Sequence, residues 1–185
     1  DIDAALDIDP ELHQPYAVRA QLELAEEDYA AAARDLGEAI ARYTPEDEED
    51  ALPYVEGMLL RASVYEESGK ELLREHDKSE AAKRFVLCRD QCDMLLGLLD
   101  PDDPRTPQIQ AATQFRKGVA ERMLGELADA VKSFTLALEV NPAFGEAYFR
   151  RGICFHFLGE ERLAIRDFET AAAINFDSPR SNLWK

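Results

Sequence analysis

The sequence of 185 residues is poor in the side chains that most often carry catalysis, bind metals or form disulfide bonds. It contains three cysteines, three histidines and one tryptophan. Three cysteines are too few, and of the wrong parity, for the disulfide framework of a small secreted protein, which favours a reducing compartment such as the cytoplasm. The histidines, His13, His76 and His156, share no ligand motif, so we expect no metal and no cofactor.

Long apolar runs and basic side chains are also scarce. No window approaches the roughly 20 consecutive apolar residues that a membrane-spanning helix needs, so we predict no membrane insertion. The chain has 21 basic against 38 acidic side chains, which gives a net charge of −17. Because nucleic acids bind proteins mainly through basic side chains, this balance predicts that nucleic acid is not a partner.

The acidic residues are concentrated at one end of the chain. Residues 1–50 carry 16 acidic and 3 basic side chains, whereas residues 151–185 carry 5 of each. The densest run is Glu46-Asp47-Glu48-Glu49-Asp50. Such a run could hold a basic partner segment or a cation, but it is more typical of a solvated loop.

Motifs for catalysis are missing as well. We find no phosphate-binding loop, no nucleophile elbow and no grouping of a nucleophile with a base, and we therefore predict that the chain is not an enzyme. Cys88 and Cys92 stand four residues apart and would share one face of a helix. This spacing could suit a redox pair or half of a metal site, but it differs from the CxxC motif of such sites and favours buried packing.

A 34-residue repeat is the clearest positive feature. Six residues recur 34 positions later, and five of the six positions keep their residue type. The first set is Gly118, Gly125, Ala130, Phe134, Ala137 and Pro142, and the second is Gly152, Gly159, Ala164, Phe168, Ala171 and Phe176. Such a period is typical of solenoids, in which each repeat is one supersecondary unit.

Each repeat has the signals of a helix hairpin. A proline-free stretch over residues 113–124 ends at Gly125, and a second helical stretch over residues 127–140 ends before Asn141-Pro142. Small residues in both stretches let the two helices approach closely, and the phenylalanine fills the space between them.

This order of small, aromatic and proline positions resembles the tetratricopeptide-repeat (TPR) family. The resemblance implies an all-α, right-handed solenoid of stacked antiparallel helix hairpins. It places regular repeats at residues 111–144 and 145–178, and an earlier one at residues 13–46 that is recognised by Tyr16, Ala20, Tyr29, Ala32, Leu36 and Ala39. Residues 1–12 resemble the end of a truncated repeat and residues 179–185 the start of another, so we expect a segment of a longer repeat protein.

Residues 47–110 are predicted to form an irregular repeat, with the acidic loop and lengthened helices. Its matches are Met58, Ala62, Tyr65 and Gly69 in a first helix, and Ala81, Phe85 and Cys88 in a second. Seven extra residues separate Gly69 from Ala81, and eight more precede Pro101. Because each insertion is about two helical turns, we predict two lengthened arms and a tip near residues 70–77 that projects beyond the array. Residues 100–107, with three prolines, are predicted to be a loop.

In the family that the chain resembles, the first helices line a concave face that binds partners. Carried over, the resemblance implies two adjacent apolar stripes, Phe115-Val119-Met123 and Phe149-Ile153-Phe157, each with i, i+4, i+8 spacing. A basic edge pairs Arg116 with Arg150 and Lys117 with Arg151. The predicted partner-binding set is Phe115, Arg116, Val119, Arg122, Met123, Phe149, Arg150, Ile153, His156 and Phe157. Alternatively, the stripes are packing surfaces between repeats.

The function predicted from these observations is a non-catalytic interaction scaffold that binds a partner peptide or helix on its concave face. Two alternatives stay open. One is a repeat module that associates with further copies of itself, and the other is a regulatory or targeting segment of a multidomain enzyme.

Overall fold

The computed structural model describes residues 2, 9, 12–43 and 51–174, apart from the side chains of residues 51–53. Within these residues the regular elements are all α-helices, which confirms the predicted fold class. The helices are α1 (His13–Ala25), α2 (Tyr29–Arg42), α3 (Ala51–Arg74), α4 (Lys78–Leu98), α5 (Thr106–Leu124), α6 (Leu127–Val140), α7 (Gly145–Phe157) and α8 (Glu161–Ala173).

The chain divides into two compact units, Asp1–Leu95 and Leu96–Lys185. In the first unit, α1 packs against α2, and α2 packs against α3. In the second unit, α5 and α6 form one hairpin, α7 and α8 form the next, and α6 packs against α7. Consecutive helices thus pair into hairpins that stack, as the repeat pattern predicts.

Every hairpin turns at a residue with a left-handed backbone. Gly125 (φ 83°) and Gly159 (φ 79°) adopt this conformation without steric cost. Glu27 (φ 60°) and His76 (φ 68°) adopt it although a Cβ atom makes it unfavourable by roughly 1–2 kcal/mol. Each of the four residues lies five positions before a buried alanine, and these alanines are Ala32, Ala81, Ala130 and Ala164.

Close contact between a glycine and a phenylalanine holds the two helices of a hairpin together. A Cβ atom at Gly69 would lie only 2.8 Å from the ring of Phe85, sixteen residues later. The equivalent pairs are Gly118 with Phe134, at 2.9 Å, and Gly152 with Phe168, at 2.7 Å. Since Cβ atoms do not approach ring carbons this closely, any larger residue would push the helices apart.

These contacts correct the predicted register of the central hairpin. Gly69 lies inside α3 and faces Phe85, so it is equivalent to Gly118 and not to the turn glycine Gly125. The residues between Gly69 and Ala81 are therefore the ordinary end of a helix and its turn, and they are not an insertion. The turn itself, at residues 75–77, corresponds to the turns of the other hairpins, so the predicted projecting tip at residues 70–77 is wrong.

The lengthening of α4 before Pro101 lies where it was predicted, whereas the lengthening of α3 lies at the start of that helix and not at the tip. Measured from its left-handed residue, α3 begins about three turns earlier than α1 does, and α4 continues about two turns further than α2 does. The predicted loop also ends early, because α5 begins at Thr106 with Pro107 in its first turn, where a missing N–H costs nothing.

Several predicted features lie outside the described residues. These are the acidic run at residues 46–50, the start of a further repeat at residues 179–185, and all but residues 2, 9 and 12 of the truncated repeat at residues 1–12.

The three cysteines are free thiols buried in the helix packing. Cys88 and Cys92 have no exposed surface, as the packing interpretation predicts. Cys154 lies in a cluster with Val119, Ala130 and Phe134. Burial there raises the pKa of the Cys154 thiol to about 11, because the thiolate would lose its hydration.

Candidate functional site

The predicted partner-binding residues all lie on α5 and α7, the first helices of the two hairpins in the second unit. These helices touch each other. Residues 34 positions apart occupy equivalent places on the two helices, so Val119 corresponds to Ile153 and Met123 to Phe157. The two stripes therefore lie on one face of this unit, although at different depths.

On α5 the stripe is mostly buried. Val119 is 2% exposed and belongs to the cluster around Phe134. Phe115 is half-buried, with its ring centroid 5.7 Å from that of Phe134 and 4.6 Å from that of Phe144. Met123 packs on the same cluster from its edge and keeps part of its surface. Val119 and Phe115 therefore stabilise the hairpin, while Met123 is accessible.

On α7 the stripe runs from buried to exposed along the helix. Phe149 is only 5% exposed, with its ring centroid 5.7 Å from that of Phe168. Ile153 is half-buried, and Phe157, the last residue of α7, is 68% exposed. A side chain of this size and exposure is surface that a partner can cover.

Two polar members of the predicted set, Arg122 and His156, lie close to this exposed end. Arg122 Nη2 lies 3.2 Å from Met123 Sδ, and its side chain is half-buried. His156 is exposed, with Nδ1 2.9 Å from Glu161 Oε1 and its ring 5.6 Å from that of Phe157. The accessible surface at the ends of α5 and α7 consists of Arg122, Met123, Ile153, His156 and Phe157, and we call it the helix-end surface.

The residues of the predicted basic edge make different contacts. Arg150 donates two hydrogen bonds to Glu146 Oε1, of 3.3 and 2.9 Å, and Arg116 is half-buried. Arg151 instead donates to Asp167, at 2.7 and 2.9 Å, and its Nη1 donates to Thr135 Oγ1 at 3.0 Å. Arg151 therefore joins α6, α7 and α8.

A similar ion pair, with a buried carboxylate and a half-buried arginine, recurs in the first unit and was not predicted from the sequence. Arg19 donates to Asp35 with the same two nitrogens and the same spacing of sixteen residues. In the α5/α6 hairpin the acidic side chain of the equivalent pair lies on the first helix, at Glu121. Glu121 accepts a hydrogen bond of 2.7 Å from Ser133 Oγ and lies 3.8 Å from Lys117 Nζ. The spacing of sixteen between arginine and aspartate is the sequence signal for it.

The second unit also contains a cavity of about 430 Å³ that was not predicted from the sequence. The cavity lies between the first turns of α5 and the end of α6. It was not predicted because α5 begins earlier than the sequence indicated. Its walls are formed by Pro107, Gln108, Ala111, Ala112, Val140, Asn141 and Phe144. Phe144 also contacts Phe115, so the cavity adjoins the buried part of the α5 stripe.

The described residues offer neither a metal-binding cluster nor a membrane-spanning helix. Residues 12–43 and 51–174 contain no group of three or more histidine, cysteine, aspartate or glutamate side chains placed to hold a metal ion. None of the described helices is long and apolar enough to cross a membrane.

Comparison with known proteins finds similarity in structure alone. No protein-family model matches the chain, and no curated protein matches it. Among solved structures, MamA superposes with a TM-score of 0.69 at 15% identity, over 94% of this chain and 84% of MamA. YrrB, a TPR protein with an unusual peptide-binding site, gives 0.69 at 16% identity, over 97% of this chain and 77% of YrrB.

PilW, a type IV pilus biogenesis factor, gives a TM-score of 0.62 at 18% identity, over 98% of this chain and 70% of PilW. These similarities extend over nearly the whole chain, and they agree with the hairpin turns and the glycine–phenylalanine contacts described above. The chain therefore has the fold of the tetratricopeptide-repeat proteins.

Proposed function

We propose that this protein is a non-catalytic interaction scaffold and that a partner peptide binds the helix-end surface of α5 and α7. The observation that carries the proposal is the 68% exposure of Phe157, which ends a stripe that begins at the buried Phe149 and continues through the half-buried Ile153. An anchor on a rigid helix loses little conformational entropy when a partner covers it. The similarity to YrrB, which has a peptide-binding site, supports the same role.

The chemistry of this surface indicates the kind of peptide. Met123, Ile153 and Phe157 would contact an apolar or aromatic side chain, since sulfur and ring surfaces adapt to such groups. Arg122 and His156 lie at equivalent positions on the two helices and would donate hydrogen bonds to a carboxylate or to backbone carbonyls. Phe115, Arg116, Val119, Phe149 and Arg150 complete the predicted set, and in this proposal they support the surface from below or from its side.

The test is selection of binding peptides from a random displayed library, followed by affinity measurements with variants. Phe157→Ser should weaken the selected peptides by about tenfold or more, because an aromatic anchor commonly carries that share of the binding energy. Leu163→Ser, at an exposed leucine of α8, is the matched control and should bind as the parent does. Equal affinity of the parent and Phe157→Ser for every selected peptide would contradict the proposal.

A further inference from the structure

The cavity of the second unit has a filled counterpart in the first hairpin of the chain. The hairpins can be aligned by their left-handed turn residues, and Glu27 of the α1/α2 hairpin corresponds to Gly125 of the α5/α6 hairpin, 98 positions later. The same offset relates the buried Ala32 to the buried Ala130. Each residue of α1 and α2 therefore has an equivalent 98 positions further along the chain.

In the first hairpin aromatic rings occupy the end at which α1 begins and α2 finishes. The ring of His13 lies edge-on to that of Tyr43, with the two centroids 5.0 Å apart. Tyr43 also stacks on Tyr54 of α3, at 5.6 Å. One turn further along α1, the ring of Tyr16 is covered by the guanidinium of Arg42, whose central carbon lies 4.7 Å from the ring centroid. Rings thus fill this end of the hairpin.

The equivalent residues of the α5/α6 hairpin carry no rings. His13 corresponds to Ala111 and Tyr43 to Asn141, so a methyl group and a short amide replace two rings that touch each other. Ala111 and Asn141 are both walls of the cavity. Val140, a third wall, stands where the first hairpin has its stacked arginine. The cavity therefore lies where the first hairpin has its aromatic pair.

Gln114 shows a second deficit at the same end of the α5/α6 hairpin. It corresponds to Tyr16 and is buried on α5, one turn after Ala111. Its side-chain oxygen is enclosed and accepts no hydrogen bond from the residues that the structure describes. A buried amide oxygen without a donor is unfavourable, because it has lost its hydration and gained no partner. This end of the hairpin is thus incompletely filled and incompletely hydrogen-bonded.

We propose that the cavity binds the side chain of a tyrosine that a partner peptide presents. The phenol ring takes the place that Tyr43 has in the first hairpin and contacts the apolar walls formed by Pro107, Ala111 and Phe144. The cavity volume of about 430 Å³ lies within the usual range of ligand sites, and it admits the ring together with adjoining peptide backbone.

The polar walls of the cavity fit the hydroxyl group of a phenol. Asn141 Oδ1 accepts a hydrogen bond from the N–H of Ala143, at 3.2 Å, which leaves the NH2 group of Asn141 to donate to the phenol oxygen. Gln108 is exposed, and its amide oxygen can accept the phenol proton. All seven wall residues are uncharged, so a neutral side chain fits this cavity better than a charged one.

This site is independent of the helix-end surface. Ala111 and Met123 lie near opposite ends of α5, roughly 18 Å apart along the helix axis. Substitutions at Phe157 and at the cavity therefore test two different proposals, and the failure of one leaves the other standing.

The test is a titration of the protein with N-acetyl-tyrosine amide, followed through the backbone amide signals in ¹H–¹⁵N NMR spectra. The signals of Gln108, Ala111 and Asn141 should shift and saturate in the millimolar range or below, whereas those of Met123 and Phe157 should stay unchanged. N-acetyl-phenylalanine amide should bind about fivefold more weakly, because it lacks the hydroxyl group. The absence of a saturable shift at the cavity, or equal affinity for the two probes, would overturn the proposal.

Filling the cavity provides the variants. Ala111→His combined with Asn141→Tyr transfers the aromatic pair of the first hairpin, and it should weaken probe binding by about tenfold or more because the new rings occupy the space. Asn141→Tyr alone, at an exposed residue, serves as a second variant if circular dichroism shows that the buried substitution at residue 111 prevents folding.

Glu139→Tyr is the matched control for the filled variants. It adds the same ring at an exposed residue two positions from Asn141 that is not a wall of the cavity, so it should bind the probe as the parent does. Full binding by a folded variant whose cavity is filled, or an equal loss of binding in Glu139→Tyr, would place the probe elsewhere and refute the assignment.

Discussion

Arg151 and Asp167 form a two-bonded ion pair, of 2.7 and 2.9 Å, in which the exposed fractions of the two side chains are only 15% and 6%. Removing one partner would leave a buried charge without compensation. We expect Asp167→Asn to lower the free energy of unfolding by about 3 kcal/mol. Asp129→Asn, which breaks the exposed pair with Lys132, is the matched control and should leave stability nearly unchanged. Urea denaturation of the three proteins measures this, and equal stabilities would show that the buried pair contributes nothing.

Substitution of Gly69 tests the corrected alignment of the central hairpin with the other hairpins. In Gly69→Ala the new methyl group would collide with the ring of Phe85, so we expect a loss of roughly 1–3 kcal/mol in the free energy of unfolding. Gly97 lies in α4, and a methyl group added there would meet no side chain or neighbouring helix within 4 Å apart from its chain neighbours. Gly97→Ala should therefore raise stability by about 0.5–1 kcal/mol. Stabilisation by both substitutions would place Gly69 away from the helix contact.

Substitutions at two of the left-handed turn residues should change the free energy of unfolding in opposite directions. His76→Gly should raise the free energy of unfolding by up to about 1 kcal/mol, because glycine adopts φ 68° without strain. Gly125→Ala, at φ 83°, should lower it by about 1 kcal/mol or more. Thermal unfolding of both variants beside the parent measures the two effects, and a shift of the same sign in both would contradict the assignment of these turns.

The buried Cys154 thiol makes stability depend on alkaline pH. Its pKa is raised from the ordinary 9.0 to about 11 by burial, so between these values the unfolded chain ionises while the folded chain stays neutral. Stability from this group is therefore complete below pH 9 and is lost as the pH rises toward 11, by about 2–3 kcal/mol in all. Denaturation under reducing conditions, compared with Cys154→Ala, isolates this slope. An identical pH dependence in the two proteins would refute it.

Much of the fold could be predicted from the sequence because the two C-terminal hairpins keep glycine at both of its roles. In these hairpins one glycine admits the phenylalanine ring and another makes the turn. The central hairpin keeps only the first, since His76 makes its turn. The seven extra residues predicted after Gly69 arise because Gly69 was compared with the turn glycine Gly125, whereas it is equivalent to Gly118. The spacing of sixteen between Gly69 and Phe85 identifies the correct equivalent.

The candidate site was less predictable because helical periodicity determines direction and not depth. Phe149 and Phe157 share one side of α7, yet Phe149 packs against Phe168 and Phe157 stands at the helix end beyond the partner ring. Whether a stripe residue is accessible or belongs to the core depends on where the second helix passes, which only the three-dimensional packing shows. The cavity beside Pro107 depended likewise on where α5 begins.

The three buried thiols can report on local opening of the two compact units. Cys88 and Cys92 belong to the first compact unit and Cys154 to the second, and all three are sealed in the helix packing. An alkylating reagent can reach each sulfur only when its hairpin opens, so the labelling rate measures the opening equilibrium of that region. Mass spectrometry of the labelled chain would show whether the two units open together or independently, without any engineered probe.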